Sequence, residues 1–322
     1  MFFKNISFCS AIAAILFFCS CTSDHAAEHS TAELFVMDTV CSVNADKDDI
    51  KTISSVLSRI DTALDCFSKS GEIHALNEKR SMNCSEDLCD FIKKTTSLSA
   101  EYGNEVIVSG GAVTMLWKEA QKSEILPEKN DILHSLGNIG DNFISFESGN
   151  VISLKNECML DSGAFAKGYA LDLCKDVLDS SGNSDYAVIS MTSSVLLYGK
   201  KPDNSKFNVE IRNPDGNGII GTVKTDACFL STSGGYERFF TVDGENYPHI
   251  IDLSTGYPTQ SDLTSVTVFC DSGILSDYLS TKILIEGTEN IENHLESDLY
   301  KVAAFDENGN SYISKGLDFH KK

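Results

Sequence analysis

Beyond residue 140 the chain is built mostly of short β-rich runs that follow one another across turns, with only two helical stretches between them. Runs at 143–146, 151–154, 159–161, 186–198, 207–211, 228–230, 236–242, 263–270 and 301–305 are rich in β-branched, aromatic and other apolar residues, and Asp243-Gly244 is a strong hairpin signal. Such connections outnumber strand–helix–strand crossovers. The expected class is therefore α+β, with largely antiparallel sheets and packed helices. Before that region, 33–43 reads as one strand. Ile50, Ile53, Val56, Leu57, Ile60 and Leu64 recur at helical spacing over 48–66, and Leu88, Phe91, Ile92 and Leu98 do so after the acidic start Ser85-Glu86-Asp87. Further helices are expected over 112–121, 164–178 and 275–286.

The 322 residues carry 47 acidic and 26 basic side chains, a formal net charge of −21. That excludes a broadly basic nucleic-acid-binding face. An anionic ligand would have to be held by local devices: a helix N-terminus, a few cations or a bound metal. The cysteines form no CxxC pair and so give no zinc pattern. Cys84 and Cys89 are close enough for a local disulfide, or are small buried hydrophobes like the other scattered cysteines.

The N-terminus reads as a secretion signal: Lys4, an apolar stretch over 11–18, then Phe18-Cys19-Ser20-Cys21. Cys21 directly after a small residue resembles a bacterial lipobox, with Cys21 lipidated; simple cleavage near Ser20 is the alternative. Residues 1–21 are thus expected to be the signal and lipobox, 22–32 a polar tether, and 33–318 the domain. The expected location is the outer side of the cell membrane, held by the lipid.

Three segments carry candidate chemistry. In Asp161-Ser162-Gly163-Ala164-Phe165-Ala166-Lys167-Gly168, a carboxylate and a small-residue turn lead into a helix whose first turn holds Lys167, which suits an anion; an ordinary turn with a surface lysine reads the same way. Asp277 and Thr281 are four apart on a helix, so their oxygens share a face and could hold Mg²⁺; a helix-start Asp with an incidental Thr is the bland alternative. His249 lies near Asp252 in a Gly- and Pro-containing loop, where the two could move a proton or simply pack.

Taken in order, these segments resemble the ApbE family, the FAD:protein FMN transferases. The resemblance rests on Phe35-Val36-Met37-Asp38-Thr39, Glu72-Ile73 with Leu76-Asn77, Leu116-Trp117, Asp161…Lys167-Gly168-Tyr169…Asp172, Gly199-Lys200-Lys201-Pro202, Thr232-Ser233-Gly234…Tyr236-Glu237-Arg238, His249-Ile250-Ile251-Asp252…Thr255-Gly256…Pro258, and Ser265-Val266-Thr267-Val268…Asp277…Ser280-Thr281. It implies an ApbE-like fold related to T-folds, with two intimate subdomains. It also implies Mg²⁺ held by the Ala164 carbonyl, Asp277 and Thr281, with Ser280 adjoining. FAD would be contacted by Met37, Phe67, Glu105, Val106, Ile107, Asp161, Lys167 and Ile251. His249, near Asp252, would be a proton carrier or orienting group. The implied reaction moves FMN from FAD to a threonine of an acceptor flavoprotein bearing Asp-x-x-Ser/Thr-Gly/Ser-Ala/Ser-Thr, releasing AMP. Hydrolysis of FAD to FMN and AMP, or flavin binding without catalysis, are the alternatives. The chain departs from the family pattern at Asp38, at Ile107, at Gly110-Gly111-Ala112-Val113 and at Met191-Thr192-Ser193-Ser194.

Overall fold

The five expected helical stretches are among eight α-helices in the residues described by this computed structural model, which are 29–322 without 215, 217 and 236–238. Helix α1 (Lys47–Leu64) starts at Asp46, whose side chain accepts from the Asp48 amide, and it buries Ile53, Val56, Leu57, Ile60 and Leu64. Helix α2 (Glu72–Lys79) is short, and α3 (Glu86–Tyr102) is capped by the Ser85 hydroxyl on the Leu88 amide. Then come α4 (Gly111–Ser123), α5 (Lys129–Leu136), α6 (Ala166–Ser181), α7 (Gly273–Glu286) and α8 (Ile291–Leu295). None of the described helices is long and apolar enough to cross a membrane.

As expected for α+β, the main sheet is antiparallel throughout. Its eight strands are His29–Val36, Thr39–Asp46, Tyr186–Met191, Ser194–Gly199, Cys228–Gly234, Leu263–Cys270, Lys301–Asp306 and Ser311–Ile313, and their order across the sheet is their order along the chain. Strand period two sorts the side chains into two cores. Phe229, Ala187, Ile189, Val266 and Val268 face the helices, while Leu230, Leu197, Phe269 and Phe305 face a second sheet of Asp318–Lys321, Ile219–Thr225 and Phe207–Arg212. Helix α7 is apolar on nearly every side, which fits its burial between the main sheet and α6. The two helices cross where Gly168 meets Gly273: a methyl group on either residue would run into the other's backbone carbonyl.

The structure corrects several expectations. The strand expected over 33–43 is a hairpin, turning at Met37 (φ 51°) and Asp38 (φ 55°); two successive left-handed residues make the tight turn that strand twist favours. The run at 159–161 forms a single bridge from Met159 to Gly110 rather than a strand. Helices α2, α5 and α8 went unpredicted because they are eight residues long or shorter and lack a side-chain cap. Strand Ile219–Thr225 was hidden by Gly221, which reads as a breaker but here makes room for the Phe319 ring. The eight described cysteines are unpaired, and all but Cys228 are buried.

Two consequences can be measured. Gly168→Ala should cost about 1–3 kcal/mol in urea unfolding, because a packed backbone crossing must open; an unchanged midpoint would contradict the crossing. Asp141 has a buried Oδ1 without a hydrogen-bond partner, and burial pushes its carboxyl up to about 6. A raised folded value means this contribution is intact below about pH 4 and is lost as pH rises through 6. Asp141→Asn should therefore gain stability over the parent at about pH 8 but not at about pH 4; equal gains at both would contradict it.

Candidate functional site at the helix crossing

The turn before α6 is pinned from four directions. The Asn77 amide bonds the Leu160 N–H and carbonyl at 2.8 and 2.9 Å, and the Asp161 N–H donates to the Val108 carbonyl at 2.8 Å. The Ser162 hydroxyl donates to the Leu64 carbonyl, and the Arg80 guanidinium donates to the carbonyls of Asn77, Leu154, Lys155, Asn156 and Cys158. The helix expected to begin at 164 begins at Ala166, which leaves Ala164 and Phe165 in the turn.

That late start has a chemical result. One turn earlier, the Gly168 N–H would bond the Ala164 carbonyl in the ordinary helical way. Instead it donates to Asp277 Oδ2 at 2.6 Å, and the Ala164 carbonyl goes without that donor. Asp277 Oδ1 accepts from the Ser194 and Ser231 hydroxyls at 2.6 and 2.5 Å. These serines are opposite each other in neighbouring strands, on the sheet face that α7 covers. Asp277 is 6% exposed, and no Lys, Arg or His among the described residues forms an ion pair with it. Ser280 and Thr281 both donate to the Asp277 carbonyl and both bond the Ser233 hydroxyl. The helices cap each other: Asp172 of α6 accepts from the Gly273 and Ile274 amides at the start of α7. Burial outweighs those bonds and leaves the Asp172 carboxyl above the usual range.

The other candidates are spread over several parts of the fold. Lys167 donates to the Ser193 hydroxyl. The Met37 amide donates to Asp61, placing the first hairpin tip on α1, and Thr39 and Thr192 join that tip to the next hairpin at 2.7 Å. Asp161 accepts from the Gly163 amide. Phe67 is exposed beneath the Lys118 ammonium, one residue after Cys66, whose thiol contacts Ser162. Val106 and Ile107 are buried, and their carbonyls accept from the Ser99 hydroxyl and the Gly110 amide. Glu105 pairs with Lys282, which also pairs with Glu286. His249 is exposed, just after strand Glu245–Pro248. Ile251 packs into a satellite cluster with Trp117, whose indole donates to the Gly256 carbonyl at 2.7 Å. Asp252 accepts from the Ser254 amide and hydroxyl and from Thr255, which organises its own turn. Cys21 lies outside the described residues, as do Tyr236, Glu237 and Arg238.

The oxygens at the crossing form a hard set: one carboxylate, several hydroxyls and a backbone carbonyl. Among the described residues no three His, Cys, Asp or Glu side chains converge, so a cation here would have few charged ligands. Sequence reasoning missed Ser194, Ser231 and Ser233. Their signal was two hydroxyls at strand spacing, 231 and 233, in line with the buried Phe229. Removing one donor from a buried carboxylate should cost about 1–3 kcal/mol, so Ser231→Ala should lower stability by that amount in urea titration. In an Asp277→Asn background the same change should cost less; strict additivity would contradict the contact.

A profile described as the ApbE family matches residues 37–305. The FAD:protein FMN transferase of Vibrio cholerae is 24% identical over 253 residues, covering 76% of this chain and 75% of that one. The protein of the same name in Escherichia coli K12 is 23% identical over 325 residues, covering 94% and 92%. The crystal structure of an ApbE protein from Thermotoga maritima superposes with a TM-score of 0.80 at 22% identity, covering 89% of this chain and 97% of that one, so the fold is shared. With the family pattern running across most of its length, this chain belongs to the ApbE family.

Proposed function

We propose that this chain splits the diphosphate of FAD and transfers the FMN part to a threonine of an acceptor flavoprotein, releasing AMP, with Mg²⁺ as its metal. The reaction is the one its relatives are named for. One observation carries the reading to these residues. The Asp277 carboxylate, buried without an ion-pair partner among the described residues, meets the first turn of the helix that carries Lys167. A carboxylate and an ammonium brought together in a hydroxyl-lined setting suit a diphosphate that arrives with a cation.

The donor set fits Mg²⁺. The Asp277 carboxylate, the Thr281 hydroxyl and the Ala164 carbonyl, with Ser280 adjoining, are hard oxygens, and Mg²⁺ takes few protein ligands because water and phosphate complete its shell. When bound, the metal would neutralise the diphosphate and polarise the phosphorus that is attacked. Lys167 would hold a phosphate oxygen. Since the Gly168 amide is already given to Asp277, the α6 terminus contributes less to that anion than its position alone suggests. Met37, Phe67, the 105–107 backbone, Asp161 and Ile251 would contact the rest of FAD. His249, near Asp252, would take the proton from the acceptor hydroxyl. The acceptor would bear Asp-x-x-Ser/Thr-Gly/Ser-Ala/Ser-Thr. Cys21 would carry lipid and hold the domain on the outer side of the cell membrane.

The test uses the full chain in detergent with FAD, Mg²⁺ and a protein bearing the acceptor motif, followed by flavin fluorescence of the denatured target. Labelled target is expected, and Asp277→Ala should abolish the label through loss of metal. Free FMN and AMP without label would replace transfer by hydrolysis, and intact FAD would remove catalysis altogether. Full activity in Asp277→Ala would refute the metal assignment.

A further inference from the structure

Strands Tyr186–Met191 and Ser194–Gly199 are joined by two residues, Thr192 and Ser193. Thr192 takes the first of these positions at φ 64°. Positive φ there favours glycine, and for a β-branched side chain it is an outlier, which is a reason to ask what the turn does. Its three hydroxyls answer in sequence. Thr192, exposed, bonds the Thr39 hydroxyl at 2.7 Å and so ties this turn to the Met37 hairpin. Ser193, half-buried, accepts from the Lys167 ammonium. Ser194, fully buried, donates to Asp277. The turn is itself anchored, because the Ser193 carbonyl accepts from the Thr232 amide at 2.8 Å.

We propose that the Thr192-Ser193-Ser194 turn is a positioning device for a diphosphate site, with Ser193 holding the Lys167 ammonium in place and Ser194 setting the Asp277 carboxylate. The proposal rests on the functional reading above for its dinucleotide substrate, though not for the diphosphate chemistry. Its logic is electrostatic. In a chain of net charge −21, an ammonium is readily drawn into an ion pair. Among the described residues Lys167 forms no ion pair; its partner is a neutral hydroxyl that positions it without cancelling its charge. Thr192 holds the strained turn closed from the other side through Thr39.

The experiment compares the full-length parent, Ser193→Ala, Ser193→Thr, Lys167→Ala and the Ser193/Lys167 double variant. Binding of inorganic pyrophosphate is measured by calorimetry, and FAD binding by flavin fluorescence with and without Mg²⁺. Losing one positioning hydrogen bond should weaken pyrophosphate about five- to ten-fold in Ser193→Ala. In the Lys167→Ala background the same change should add almost nothing, because there is no ammonium left to position. Ser193→Thr, which keeps a hydroxyl, should restore most of the affinity. In FMN transfer, KM for FAD should rise more than kcat falls. Pyrophosphate affinity unchanged in Ser193→Ala, or an equal loss with and without Lys167, overturns the proposal. A parent that binds pyrophosphate in this Ser193- and Lys167-dependent way but not FAD supports the positioning device and refutes the dinucleotide reading. A parent that binds neither refutes both.

Discussion

The site depends on one buried carboxylate. Asp277 stands in the middle of a helix that is otherwise almost entirely core, and an ionised group there is tolerated only when its oxygens are satisfied. Three donors do this: the Gly168 amide from α6 and the Ser194 and Ser231 hydroxyls from adjacent strands. Each donor comes from a different element, so the carboxylate welds helix to helix and helix to sheet. Asp172 repeats the arrangement in the opposite sense, and the Gly168–Gly273 contact lets the two helices come close enough for both bonds. Neither glycine is there for backbone freedom; what matters at both is the absence of a side chain.

The same bonds explain how a strongly acidic protein could receive an anion. Diverting the Gly168 amide to Asp277 leaves the Ala164 carbonyl without that donor, and it spends part of the helix terminus on a resident charge. Under the proposed function, a phosphate would be left with the Lys167 ammonium and the cation that Asp277 would hold. Behind the site the charges are paired among themselves. Lys282 bridges Glu105 and Glu286, and Glu286 also meets His294; burial alone would raise the Glu286 carboxyl, but these partners outweigh it and hold it below the usual range. The Glu105 carboxylate, one of the residues implied for FAD, is thus also the link between the 105–107 stretch and α7.

Much of this was legible in the sequence, and the parts that were not have physical reasons. Long amphipathic stretches such as α1 and α3 declared themselves by period, whereas Asp277, Thr281 and Lys167 each had an ordinary helix reading and were marked out by their order among the family's motifs. The serines facing Asp277 did not stand out, because a serine in a strand looks solvent-exposed until the helix above it is known. The Met37-Asp38 turn was hidden because it holds neither glycine nor asparagine at its two left-handed positions, and the apolar run continues through Met37. Residue spacing alone suggested a partnership of His249 with Asp252, and the structure shows the Asp252 carboxylate bonded within its own turn.

The most direct measurement is a crystal structure of the chain with FAD and Mg²⁺. The account predicts a cation bonded to the Asp277 carboxylate and to the diphosphate, with the Ala164 carbonyl and the Thr281 hydroxyl turned toward it and Lys167 on a phosphate oxygen. FAD seated with its diphosphate remote from α6, while Asp277 keeps only its present hydrogen bonds, would contradict it.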